Sequence, residues 1–131
     1  MLQPGLTHTL TLTVDAGMTA AAVGSGGLHV FSTPAMIALM ERCARDCAGP
    51  HLKEGQGTVG TLVNVRHLSA TPIGLEVRCE CALTEVDGKR LVFQVRAFDP
   101  AGPIGEGQHE RYIIDDERFM QRAMQKVQQA E

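Results

Sequence analysis

Three residues of this sequence could supply nucleophilic or acid–base chemistry: Thr33, Glu41 and His67. Glu41 follows six apolar residues of a predicted helix, and a carboxylate taken out of water is costly unless it is paired. His67 ends an apolar row of a predicted strand, and its imidazole can give or take a proton near neutral pH. Thr33 and Glu41 belong to one row of i, i+4 neighbours, with their positions ~12 Å apart along the helix axis. A group or a water between them could therefore contact both side chains.

Each of these residues also has an ordinary explanation, which position alone leaves open. Thr33 is a good helix N-cap. Glu41 could lie where the helix reaches the surface, or pair with Arg42 or Arg45. His67 could be a hydrogen-bonded core histidine.

A second polar group follows near the C-terminus. His109 and Arg111 alternate onto one face of a predicted strand, together with Gly105 and Gly107. The glycines leave room for a ligand to approach the backbone, and the arginine could hold a phosphate or a carboxylate. The alternative is an edge strand protected by charge.

One helix must position Thr33 and Glu41. We predict that it begins with Thr33 as the N-cap and Pro34 in the first turn, and runs to about Ala48, where Gly49-Pro50 stops it. Its first two turns are apolar all round, which predicts burial on most sides. The alternation of Leu6 to Val14 predicts a preceding strand, and the small residues from Ala20 to Gly27 predict a mobile connecting segment.

Strands follow the helix, and their alternation is typical of an antiparallel sheet with one buried face. The predicted inner rows are Val59, Thr61, Val63, Val65 and His67; Leu75, Val77, Cys79, Cys81 and Leu83; and Leu91, Phe93, Val95 and Ala97. Asp87-Gly88 marks a hairpin, and matching the apolar rows across it requires a three-residue loop or a bulge at Gly88. Gly105 to Ile114 is the last strand, and a short amphipathic helix begins near Asp115. The predicted fold class is α+β, with one long buried helix wrapped by a curved antiparallel sheet in a single domain, 1–131.

Composition narrows the function. The chain has 131 residues, a net charge of −3, 44% hydrophobic and 21% charged residues, which fits one globular domain and indicates no nucleic-acid or anionic-membrane partner. No signal peptide and no stretch near the ~20 apolar residues of a membrane span is readable, so we expect a cytoplasmic protein. The four cysteines (Cys43, Cys47, Cys79 and Cys81) are interpreted as reduced buried thiols, with a zinc site as the alternative that their spacing favours less. We predict no metal and no cofactor.

Several segments, in this order, resemble the fluoroacetyl-CoA thioesterase-like proteins of the hotdog superfamily. The resemblance covers about Leu6 to Arg122. Its strongest parts are Val30-Phe31-Ser32-Thr33-Pro34 with Leu39-Met40-Glu41, Gly57-Thr58-Val59-Gly60-Thr61, His67 with Ala70-Thr71-Pro72-Ile73-Gly74, Glu85-Val86-Asp87-Gly88-Lys89-Arg90, and Gly105-Glu106-Gly107-Gln108-His109-Glu110-Arg111.

The resemblance implies a catalytic set of Thr33, Glu41 and His67, with Gly60 and Arg111 lining the active site. We group Phe31 and His109 with these two as substrate-binding residues. By resemblance, the chain is a homodimeric acyl-CoA thioesterase that converts a small acyl-CoA to free acid and CoA, with CoA present only as part of the substrate. The fluoroacetyl-CoA enzyme has phenylalanines that form a lid before its catalytic threonine, whereas residues 20–27 here contain no aromatic residue. The resemblance therefore does not predict which acyl group is hydrolysed. A non-catalytic acyl-CoA binder and a hotdog hydratase or dehydratase are the alternatives.

Overall fold

A computed structural model describes residues 1–130 and contains one five-stranded antiparallel sheet in the order β1-β3-β4-β5-β2. The strands are β1 Thr7–Thr13, β2 Gln56–His67, β3 Glu76–Asp87, β4 Arg90–Asp99 and β5 Gly102–Asp115; the helices are α1 Ala20–Val23, α2 Thr33–Ala48 and α3 Asp116–Gln129. The predicted α+β class is confirmed. One long helix lies against the sheet, and a short helix follows the last strand.

The inner rows of β3 and β4 form the centre of the core, as their alternation predicts. They are Val77, Cys79, Cys81, Leu83, Leu91, Phe93, Val95 and Ala97, all buried. Helix α2 covers them with Met36, Leu39, Met40, Cys43, Ala44, Cys47 and Ala48. The opposite side of α2 is open in the single chain, where Ala38 is exposed, so the prediction of burial on most sides holds for only part of the helix.

The start of α2 differs from the prediction. Ser32, not Thr33, is the N-cap: its Oγ accepts the backbone N–H of Ala35 at 3.1 Å. Thr33 is therefore the first helical residue and Pro34 the second. Serine and threonine are comparable N-caps, and the residue whose backbone is extended takes that place. Because Ser32 caps the helix, the Thr33 hydroxyl is free for other contacts.

The segment predicted as a mobile connection contains one turn of helix, α1. Thr19 caps it by accepting the N–H of Ala22 at 3.2 Å, and Gly24 ends it with a φ of 82°. A left-handed residue at that position favours glycine. Capping by two flanking residues therefore gives residues 20–23 a helical turn, whereas residues 24–27 form neither helix nor strand.

The hairpin between β3 and β4 also corrects a prediction. Asp87 pairs with Arg90 across a two-residue loop, rather than across the predicted three-residue loop or a bulge at Gly88. The register shift lies between Leu83 and Glu85, so Thr84 is the extra residue. The prediction that a plain two-residue hairpin cannot match the two apolar rows was correct. The bulge at Thr84 lets Leu83 pair with Phe93 on the inner face.

Strand β5 lies between β4 and β2, so the interpretation of its charged residues as edge protection is wrong. The edges are β1 and β2. Four free cysteines are buried in the core, and no group of three or more His, Cys, Asp or Glu residues within 1–130 has a geometry that could hold a metal ion. Over the same residues, no helix has the length and apolar character needed to cross a membrane.

Candidate active site

A β-bulge in β2 determines which residues of this strand face α2. The register with β5 shifts between Gly60 and Leu62, so Thr61 is the extra residue. Gly60 pairs with Arg111 and Val63 pairs with His109, and paired residues share a face. The predicted inner row is therefore wrong at its start: Gly60, rather than Val59 and Thr61, joins Val63, Val65 and His67 beneath the helix.

Thr33 and His67 form a direct pair. The Thr33 hydroxyl lies 2.7 Å from Nδ1 of His67, although the two residues are 34 positions apart. Burial lowers the pKa of His67 below its usual value of 6.5, so the imidazole is neutral at pH 7. Its other nitrogen, Nε2, is buried and has no hydrogen-bond partner among residues 1–130. A neutral imidazole touching a hydroxyl is the arrangement in which the ring can accept the hydroxyl proton.

The Thr33–His67 pair opens into a cavity of about 350 Å³. Phe31, which the sequence grouped with the substrate-binding residues, lines it and is otherwise buried in the core. Much of the remaining wall is small or polar, and includes Ala20, Ser25 and Ala70. Such a cavity can receive a small acyl group next to the hydroxyl.

Glu41 belongs to a second cluster, around Gly60. Its Oε2 lies 3.5 Å from Nη1 of Arg111, and not beside Arg42 or Arg45. A Cβ added to Gly60 would lie 2.5 Å from the same Oε2, so the carboxylate occupies the space that a side chain at position 60 would need. Its side chain is 40% exposed, which leaves it accessible to a substrate or a neighbouring subunit.

Arg111 and His109 support this carboxylate from within the sheet. Arg111 donates from Nε to Thr58 Oγ1 at 2.8 Å and from Nη2 to the Thr58 carbonyl at 2.9 Å, which fixes the plane of its guanidinium. His109 is fully buried, and its Nδ1 contacts the Leu62 carbonyl at 2.8 Å, which requires a proton on that nitrogen. Its Nε2 then accepts from Nη1 of Arg111 at 3.2 Å. Burial lowers the pKa of His109, which keeps it neutral beside the guanidinium.

One chain therefore brings together Thr33 with His67, and Glu41 with Gly60, His109 and Arg111, but it does not unite the two clusters. Thr33 and Glu41 are eight residues apart on α2, ~12 Å along its axis. Sequence reasoning missed Thr58, which holds Arg111, because an exposed-looking threonine next to glycine gives no signal of that contact. A glycine within a strand pattern does indicate a bulge, and Gly60 is such a glycine in β2.

Comparison with known proteins agrees with this architecture. The family described as fluoroacetyl-CoA-specific thioesterase matches residues 14–117. A fluoroacetyl-CoA thioesterase of Streptantibioticus cattleyicolor is 41% identical over 99 residues, 76% of this chain and 71% of that protein. A solved fluoroacetyl-CoA thioesterase structure superposes with a TM-score of 0.91 at 33% identity, covering 96% of this chain and 98% of the other. A hot-dog-like protein of Thermanaerovibrio acidaminovorans shares the fold, with a TM-score of 0.85 at 24% identity over 94% of this chain and 91% of the other.

Proposed function

This chain belongs to the fluoroacetyl-CoA-specific thioesterase family, and we propose that it hydrolyses a small acyl-CoA through Thr33, Glu41 and His67. It is a thioester hydrolase by that membership. The observation that supports the catalytic assignment is the 2.7 Å contact between the Thr33 hydroxyl and a neutral His67 whose second nitrogen is unpaired. A cytoplasmic location stays a prediction from the sequence.

In the covalent route, Nδ1 of His67 accepts the Thr33 proton while Oγ1 attacks the thioester carbonyl. The carbon–sulfur bond then breaks, and the imidazolium returns the proton to the departing CoA thiolate. Water, deprotonated by the same imidazole, hydrolyses the acyl-threonine and releases the acid. In the direct route the hydroxyl only orients the water that attacks, and Glu41 accepts the proton of that water. The covalent route needs a neutral His67 as the base, which the lowered pKa provides.

The oxyanion of either route needs a hydrogen-bond donor. The start of α2 offers few, because Pro34 has no N–H, the Ala35 N–H donates to Ser32 Oγ and the Met36 N–H donates to the Ser32 carbonyl. Gly60, on the edge strand beside Glu41, is therefore our candidate donor.

We propose that a homodimer unites the two clusters. Strand β2 is an unprotected edge of 12 residues, and its central residues are exposed: Leu62 is 42% and Val63 is 40% exposed. Such an edge is a template for pairing with a second strand. Two β2 strands related by a two-fold axis would pair antiparallel, extend the sheet and cover these residues.

The position of that axis follows from the two clusters. Gly60 and His67 are seven residues apart, roughly 23 Å along β2, so the cluster around Glu41 is distant from His67 of the same strand. An axis at Asn64 lies in the middle of the exposed stretch and roughly midway between Gly60 and His67, because Thr61 is the extra residue of the bulge, and it pairs inner-face residues with inner-face residues. It would place the partner's His67, with the partner's Thr33, opposite Gly60 and close to Glu41. Each dimer would then contain two sites, each built from both subunits.

The test is release of free thiol from a panel of acyl-CoAs (acetyl, fluoroacetyl, propionyl and butyryl) by the wild type and by Thr33→Ala, Glu41→Gln and His67→Ala. We expect hydrolysis by the wild type and losses of at least about a hundredfold in the variants, since nucleophilic and acid–base groups contribute on this scale. Free thiol also separates a hydrolase from a hydratase or a binding protein. Full rates in all three variants would show that the catalytic assignment is wrong.

A further inference from the structure

A group of cations lies at the end of the sheet away from Thr33. Lys89, Arg118 and Arg122 line a cavity of about 210 Å³ together with the aromatic rings of Tyr112 and Phe119. Within residues 1–130 these three cations form no ion pair. In a chain with a net charge of −3, this is a local concentration of uncompensated positive charge.

Backbone hydrogen bonds fix the segments that carry these cations. The N–H of Ile113 donates to the Lys89 carbonyl at 2.9 Å, which fixes the β3–β4 turn against β5. At the start of α3, the Asp116 N–H donates to the Gly55 carbonyl at 3.0 Å. Arg118 and Arg122 are one turn apart on α3, so both side chains project from one side of that helix.

The surrounding carboxylates do not neutralise this cavity. Glu85 and Glu110, which flank the turn, already pair with Arg90 at 2.7 Å. Asp115 is the one carboxylate that lines the cavity in the part of the chain described, and its Oδ1 accepts the backbone N–H of Arg118 at 3.0 Å as the cap of α3. Three cations therefore face one carboxylate, a balance that favours an anion.

We propose that this cavity, the cation–aromatic cavity, binds the nucleotide end of CoA, an adenosine 3′-phosphate 5′-diphosphate. Two guanidinium groups and an ammonium match phosphate oxygens. The rings of Tyr112 and Phe119 offer a face on which adenine stacks. The proposal rests on the proposed function, and assigns the part of the substrate that neither catalytic cluster explains.

The distances fit a CoA thioester only if the site is shared between subunits. A groove of about 420 Å³, lined by Arg45, Gly57 and Thr58 among others, reaches Asp116 at the start of α3. From Gly60 to the beginning of β2 at Gln56 is roughly 13 Å. The pantetheine arm is comparable to about four extended peptide units, ~14 Å, so it can span this groove. Within one chain the distance is too long for this arm. Tyr112 of the cavity pairs with Val59, and Val59 is roughly 26 Å along β2 from His67 of the same strand.

The experiment compares the wild type with an Arg118→Ala/Arg122→Ala double variant. One measurement is kcat/KM for an acyl-CoA divided by kcat/KM for the matching acyl-N-acetylcysteamine thioester, which has no nucleotide. The other is calorimetric binding of adenosine 3′,5′-bisphosphate. Arg96→Ala is the matched control, since it removes an exposed arginine from the far end of β4.

We expect the double variant to lower the substrate ratio at least tenfold and to weaken bisphosphate binding at least tenfold, because each lost arginine removes charge-assisted hydrogen bonds. Arg96→Ala should retain both values. Unchanged values in the double variant, or an equal loss in Arg96→Ala, would overturn the proposal. If the wild type hydrolysed no acyl-CoA, the proposed function would fail, and bisphosphate binding would still decide this proposal.

Discussion

A shared active site makes a quantitative prediction for mixed dimers. Thr33→Ala and Glu41→Gln subunits are each inactive as homodimers if both side chains are required. In the proposed arrangement, a heterodimer of the two combines the intact Thr33 and His67 of the Glu41→Gln subunit with the intact Glu41 of the Thr33→Ala subunit. One of its two sites is then complete, and the other carries both substitutions.

The expected magnitude follows from the symmetry of the dimer. Random pairing of equal amounts of two subunits makes half of the dimers mixed, and each mixed dimer has one of two sites intact, so the mixture should have about one quarter of the wild-type rate. Purified heterodimer, isolated through two different affinity tags, should have about half. Free CoA can be followed with a thiol-reactive dye, because all four cysteines of the chain are buried and compete little for it.

A second pair of variants supplies the control. Thr33 and His67 are in hydrogen-bond contact within one chain, so they belong to the same half of the site. A mixture of Thr33→Ala and His67→Ala subunits should therefore recover no activity, since neither site of a heterodimer has both residues. Recovery in this control, or none in the Thr33→Ala/Glu41→Gln mixture, would refute the shared site.

Three further predictions test single features of the two clusters and of the helix that carries Thr33 and Glu41. Gly60→Ala should lower kcat/KM at least tenfold with a melting temperature within a few degrees of wild type, because its Cβ would displace the Glu41 carboxylate while Gly60 needs no unusual backbone conformation; steady-state rates and thermal unfolding check this. Ser32→Ala should lower the free energy of unfolding by about 1 kcal/mol by removing the N-cap, whereas Thr33→Ala should not; the opposite order in denaturant titrations would contradict the assignment of the cap. The rate should fall with decreasing pH as His67 becomes protonated, with an apparent pKa below 6.5, since burial lowers the pKa of this imidazole; an acid limb at or above 6.5 in a pH profile of kcat/KM would argue against His67 as the base.

The sequence predicted the fold because the decisive signals were local. Strict alternation in β3 and β4 and an apolar helix of the correct length leave few ways to bury both, and the structure follows them. The spacing of Thr33, Glu41 and His67 gave the candidate set only through the family resemblance. Periodicity placed His67 on the inner face of its strand, and the contact with Thr33 across 34 residues agrees with that placement.

The features that the sequence did not predict depend on contacts between segments or on the local course of the backbone. The bulge at Thr61 exists only against β5, and it changes the face on which Gly60 lies. The place of β5 inside the sheet is likewise a property of strand order, which alternation does not encode. Ser32 and Thr33 are both suitable caps, so the choice between them depends on where the preceding backbone is extended.

The division of the site follows from the geometry of one helix. Thr33 lies in the first turn of α2 and Glu41 two turns later, and each contacts a different part of β2 because helix and strand advance by different amounts per residue. A two-fold axis through the middle of β2 exchanges these two ends. The two-fold pairing that covers the exposed edge of β2 would therefore bring Glu41 of one subunit to the Thr33 hydroxyl and the His67 imidazole of the other. Covering the edge and completing the site would then be one event, so that only the dimer could hydrolyse its substrate.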